Sequence, residues 1–182
     1  MLLGIVAGLL ACNSHPASPT TSAPASSAKE TIASFTLPSG AAVRIVEAPF
    51  VASLFKVNGC SEQDSKCLIN DAVPFGVAFG LPESYVKSIV VSFSGHSHSL
   101  DVSNMFNAWG TRPLEVKGVI RYFGGKCWDA DNCQLRGLFS DAAGTFVVQW
   151  SVVDSRQTRT VITASEDVVD LFEEHIDPPE FQ

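Results

Sequence analysis

The sequence predicts an α+β chain that is mostly β, an antiparallel sheet of hairpins closed by one C-terminal helix. Three observations carry this. Apolar and polar residues alternate with period two in several stretches, most clearly where Phe146, Val148, Trp150 and Val152 interleave with Thr145, Val147, Gln149 and Ser151. Short Gly, Pro, Asn, Asp and Ser clusters separate those stretches, as hairpin turns do. A helical spacing of apolar residues occurs convincingly once, at Val169, Phe172 and Ile176.

Taken in order, Ala33, Phe35 and Leu37 alternate with Ser34 and Thr36, Pro38-Ser39-Gly40 turns, and Val43 and Ile45 resume as the second arm of a hairpin. A third strand is expected over 53–57, while 73–79 fits either a strand or a buried loop. Residues 85–93, rich in Val and Ile, read as a strand, and after Ser94-Gly95 a return strand runs through Leu100 and Val102. Ser103 is placed to cap a short helical turn holding Met105, Phe106 and Trp109, ended by Gly110 and Arg112-Pro113. A strand over 116–123 leads into a Gly124-Gly125 turn, 134–139 returns, and 141–144 turns again. Asp154-Ser155-Arg156 then turns into a strand over 158–162. The helix opens at Thr163-x-x-Glu166, read as a capping box, and Pro178-Pro179 stops it.

Ahead of this body, residues 2–11 are almost wholly apolar, too few to span a bilayer, and they end Leu9-Leu10-Ala11-Cys12. That ending resembles the lipobox of bacterial lipoproteins. The resemblance implies a signal peptide over 1–11, cleavage before Cys12, and lipid on Cys12 as the membrane anchor. Three acyl chains, the number carried by that family, hold a protein stably where one would not. In the family an Asp after the lipidated Cys favours the inner membrane. Asn13 stands there instead, so the expected address is the outer membrane, facing the periplasm. A signal normally opens with positive charge, whereas no Lys or Arg precedes this apolar run. Residues 12–29, after Cys12 mostly Ser, Ala, Pro and Thr, offer almost nothing to bury and read as a disordered linker. A single globular domain is expected over 30–182.

With Cys12 assigned to lipid, Cys60, Cys67, Cys127 and Cys133 remain, an even number that reads as disulfides in an exported chain. Three pairings are open. The local ones, Cys60 with Cys67 and Cys127 with Cys133, are preferred because each frames a polar, turn-rich tract between apolar runs. The four lack Cys-x-x-Cys spacing and a nearby His, so no zinc site is expected.

Of the 19 acidic residues seven fall between Glu166 and Gln182, leaving twelve against twelve Lys and Arg; the whole net charge of −7 sits in that tail. Such a surface disfavours nucleic acid and suits a basic protein partner, with Asp170, Glu173 and Glu174 on the open helix face.

Catalytic signals are weak. Gly95-His96-Ser97-His98-Ser99 lacks the last glycine of a nucleophile elbow and reads as a strand, and Ser84-x-x-Lys87 opens a strand where the penicillin-binding motif opens a helix. His96 and His98 share one strand face, but two ligands do not make a metal site. Asp129-Ala130-Asp131-Asn132 lacks the glycine and distal glutamate of a calcium loop. No cofactor or metal is therefore expected. The closed loop between Cys127 and Cys133 is more promising: it carries Trp128, Asp129 and Asp131, an aromatic anchor and two charges ordered at little entropic cost. The alternative is a structural pin with Trp128 folded back on the sheet.

The body is similar, through Val46-Glu47-Ala48-Pro49-Phe50 and Met105-Phe106-Asn107-Ala108-Trp109, to lipoproteins encoded beside secreted effectors. That implies a non-catalytic immunity or inhibitor protein against a toxic peptidoglycan hydrolase or phospholipase. The alternative is a structural or assembly lipoprotein of the envelope.

Overall fold

The computed structural model describes residues 29–61, 66–78, 80–108, 122–139 and 144–178. In chain order the elements are β1 (Thr31–Thr36), β2 (Ala42–Pro49), a 3-10 turn (Ala52–Leu54), β3 (Val57–Gly59), β4 (Cys67–Ile69), β5 (Ser84–Phe93) and β6 (His96–Leu100). There follow β7 (Phe123–Cys127), β8 (Cys133–Phe139), β9 (Phe146–Val153), β10 (Arg156–Thr163) and the helix α1 (Glu166–Glu174). The expected class holds: antiparallel strands dominate and one helix closes the chain.

Eight of the strands form two four-stranded sheets, ordered β1-β2-β5-β6 and β10-β9-β8-β7, and β3 pairs with β4 in a separate two-stranded sheet. One core joins the two four-stranded sheets. Val43, Ile45, Ile89 and Val91 from the first sheet share it with Phe139, Phe146, Val148 and Trp150 from the second. Each of these side chains is 1 % exposed or less, and burial of a large apolar side chain is worth about 1.5–3 kcal/mol. Polar contacts also cross the core, since Trp150 donates its indole N–H to the Asp101 carbonyl at 2.7 Å and Ser39 donates its hydroxyl to Gly125 O at 2.7 Å.

The outer face of the second sheet carries α1. Val169 and Phe172 pack on Leu138 and Val147, which explains why β9 is buried on both faces at Val147 and Val148. No basic residue of α1 meets its C-terminal carbonyls; Arg136 of β8 does so instead, donating to His175 O at 2.9 Å and lying 4.8 Å over the Phe172 ring.

Strand register gives the sandwich a direction. Thr31 faces Glu47 and Pro49 faces Ser84 at one end, where residue 29 enters and where the excursion over 50–83 leaves and returns. We call this end proximal. Thr36 with Ala42, Phe93 with His96, Cys127 with Cys133 and Val153 with Arg156 close four hairpins at the distal end.

Several sequence expectations are corrected. Of the strand expected over 53–57, Ser53 and Leu54 belong to the 3-10 turn and only Val57 enters β3. The first return strand stops at Leu100, short of Val102, and residues 103–106 form a turn and two isolated bridges in place of a helical turn. Gly124 and Gly125 lie inside β7, not in a turn. A Cβ on Gly124 would sit 2.3 Å from Ile176 O, so this glycine admits the chain that follows α1. Thr163 belongs to β10, and Ser165 is the helix N-cap, without a side-chain capping bond. Cys12, Trp109, Gly110, residues 111–121 and the turn over 141–143 lie outside the described residues.

Candidate functional site

The distal end is built from turns whose chemistry is local. Ser94 and Gly95, and likewise Asp154 and Ser155, adopt positive φ in two-residue connections, the conformation that matches the twist of the flanking strands. The third component is the five-residue loop 128–132. The Cys127–Cys133 disulfide bridges directly paired residues at its base, and Trp128 N–H donates to Asn132 O at 2.9 Å across it. Both expected pairings, Cys60–Cys67 and Cys127–Cys133, are present.

Asp131 ties the three turns together. Its Oδ1 accepts the Ser155 hydroxyl at 2.5 Å and the His96 Nδ1–H at 2.9 Å, and its carbonyl accepts Ser155 N–H at 3.0 Å. Asn132 Oδ1 accepts Asp154 N–H at 3.1 Å, and Ala130 O accepts the Nε2–H of the buried His98 at 2.8 Å. Asp129 works within the loop, taking Asp131 N–H at 2.8 Å and the Asn132 amide at 2.9 Å. These donors hold both carboxyls below the ordinary carboxylate range: for Asp131 the Ser155 hydroxyl first and then His96, for Asp129 the Asp131 backbone N–H first and then Asn132. The loop is therefore ordered by a covalent bond and by hydrogen bonds to two neighbouring turns.

Trp128 is the exception. Its side chain is not folded back on the sheet but 57 % exposed, and Val153, beside the Asp154 turn, is 58 % exposed. An apolar anchor thus projects from a rigid base carrying Asp129, Asp131 and Asp154. The other acidic candidates, Asp170, Glu173 and Glu174, are exposed on α1, in the outer layer and not among the turns.

Serine, histidine and aspartate meet here, but in the wrong order for nucleophilic catalysis. A triad needs imidazole between hydroxyl and carboxylate, so that the ring takes the serine proton. Here Asp131 lies between Ser155 and His96, and the hydroxyl donates to a carboxylate whose basicity its own donors have lowered. Ser97 points its hydroxyl to Ser92 at 2.7 Å. Among the described residues no group of three His, Cys, Asp or Glu could hold a metal ion.

Sequence reasoning missed Ser155 as a partner of Asp131. It also missed a second polar cluster at the proximal end, where buried Glu47 accepts the Ser84 hydroxyl at 2.5 Å and Asn107 Oδ1 accepts the N–H groups of Glu83 and Ser84. Burial pushes the Glu47 carboxyl above its ordinary value, against the Ser84 hydroxyl and the Ala108 N–H. At 6 % exposure this is a clasp between β2, β5 and the 105–108 segment, closed to a ligand. No family, no curated protein and no solved structure matches the chain.

Proposed function

We propose that this chain is a lipoprotein of the outer membrane, anchored through Cys12 and facing the periplasm, that acts without catalysis by binding a basic, envelope-damaging enzyme such as a peptidoglycan hydrolase or phospholipase. The observation that carries the reading is the distal loop: an exposed Trp128 on a base fixed by the Cys127–Cys133 disulfide and the Asp131 bonds to Ser155 and His96. Interfaces concentrate their energy in such anchors, and a preordered loop loses little entropy on binding. Asp129, Asp131 and Asp154 around Trp128 suit the basic rim of an active site. The two disulfides fit an oxidising compartment.

The test is protection. Cells exporting the chain should survive a periplasmic hydrolase or phospholipase encoded beside it, and Trp128→Ala with Asp129→Asn should lose that protection while melting at the wild-type temperature. Undiminished protection by the double variant would remove the distal loop as the binding surface. Absence of protection against any such enzyme, with envelope defects on deletion, would favour an assembly role.

A further inference from the structure

Of the eight exposed large apolar side chains among the described residues, five belong to the segments of the proximal end: Ile32 near the start of β1, and Val51, Leu54, Val73 and Leu81 on the excursion over 50–83. This excursion is a lobe with its own packing. Cys60, Ile69 and Phe106 form its buried centre, with Phe50, Phe55 and Tyr85 against them, and the Phe50 and Phe55 rings stack at 4.6 Å. The Cys60–Cys67 disulfide pins β3 to β4, and Phe50 N–H bonds Glu83 O at 2.8 Å to close the lobe's neck. The lobe is satisfied inward, so Leu54 at 72 % exposure and Val73 at 66 % contribute nothing to its core.

Two ion pairs lie at this end. Lys56 pairs with Asp71 at 2.7 Å and Lys87 with Glu30 at 2.5 Å. Glu166 and Asp167 open α1 near the same end, where Thr163 pairs with Val147, so anionic headgroups would be repelled there. An apolar surface with paired charges suits the interface of a zwitterionic bilayer.

The position of the tether identifies the occupant. The chain enters β1 at Thr31, beside Glu47 and two residues of β2 from the point where the lobe departs after Pro49. The seventeen residues from Asn13 to Lys29 can span at most about 60 Å. We infer that the lobe surface of Val51, Leu54, Val73 and Leu81 seats on the bilayer to which Cys12 is attached, so that the Trp128 loop, at the opposite end of both sheets, is held outward. The inference rests on the tether proposed above.

The test uses the chain from Cys12 onward. Cys12 is the one thiol outside the two disulfides, so it can be coupled to a maleimide-headgroup lipid in phosphatidylcholine nanodiscs doped with a gadolinium-chelating lipid. Methyl signals of Val51, Leu54, Val73 and Leu81 should show several-fold larger paramagnetic relaxation than those of Val153. The double variant Leu54→Ser, Val73→Ser, altered only at exposed positions, should bring Val51 and Leu81 down toward the Val153 value. Equal relaxation at both ends, or more at Val153, overturns the inference. Chemical coupling makes this result independent of natural lipidation, which is read from the mass of the mature N-terminus. An unmodified Cys12 there overturns the tether, and the inference with it, whatever the relaxation data show.

Discussion

Asp131 Oδ1 lies 2.9 Å from His96 Nδ1 across 35 residues of sequence, and the same oxygen accepts the Ser155 hydroxyl from a third turn. One carboxylate thereby orders three hairpin ends. Replacing it with alanine should leave the sandwich folded, because the group is on the surface, while the 128–132 amides exchange faster. Native-state hydrogen exchange checks this. Unchanged exchange in the loop would mean that the disulfide alone sets its order.

The disulfide at the base of that loop contributes by restricting the unfolded chain. Its six-residue separation corresponds to about 2 kcal/mol on the chain-entropy account. Replacing Cys127 and Cys133 together with serine should cost about that much by urea titration. The loop, freed at its base, should also lose more partner affinity than the domain loses stability.

Acid and neutral pH should act on different groups. Asp129 and Asp131 are held low by their donors; for Asp101 burial acts to raise the carboxyl, but the Ser103 hydroxyl and N–H with Arg159 outweigh it. Their stabilisation is present above the unfolded-state value of about 3.9 and is lost as pH falls through the lowered folded values. Glu47 has the opposite sign. Its carboxyl is raised, so its contribution is full below the ordinary 4.5 and is lost as pH rises through the folded value. Urea midpoints from about pH 3 to about pH 7 should rise and then fall, and Glu47→Gln should remove the fall. A decline that persists in Glu47→Gln would assign it to another group.

How much of this was legible varies with how local the cause is. The 31–45 hairpin, the strand from Ser84 and the alternation at Phe146 to Val152 follow from periodicity with turns at their ends, and the local cysteine pairing from the tracts it frames. Gly124 and Gly125 misled because glycine marks both turns and close approaches, and the approaching chain, at Ile176, is distant in sequence. Glu47 falls in step with Val43 and Ile45 on the core side of β2, but nothing near it in sequence names its partners, Ser84 and Ala108, which lie on distant segments. The Trp128 loop was visible, but its attachment to Ser155 and His96 was not: nothing in a turn's sequence says which other turns it will meet.

The junction of helix and sheet supplies a packing test. Gly124→Ala places a methyl 2.3 Å from Ile176 O and 2.5 Å from its carbon, both backbone atoms that cannot swing aside. A loss of about 1–3 kcal/mol is expected, with weaker exchange protection in α1 as the Arg136 bond to His175 O is strained. Phe172→Ala, deleting a side chain only 3 % exposed, should cost about 3–5 kcal/mol. Wild-type melting of both variants would show that the helix is an appendage.

The inter-sheet bond from Trp150 to the Asp101 carbonyl can be probed by Trp150→Phe. Losing the N–H leaves that carbonyl short of a donor and opens space in the core, so about 1–3 kcal/mol should be lost. A midpoint within error of wild type would show that water or a neighbour replaces the indole.

The most direct measurement of the central claim is photo-crosslinking in intact envelopes from three single positions, Trp128, Val153 and Leu171. The distal loop account predicts one basic exported enzyme captured from 128 and 153 and nothing from 171 on the acidic helix. Capture from 171 alone, or from none of the three in cells making the enzyme, would contradict it.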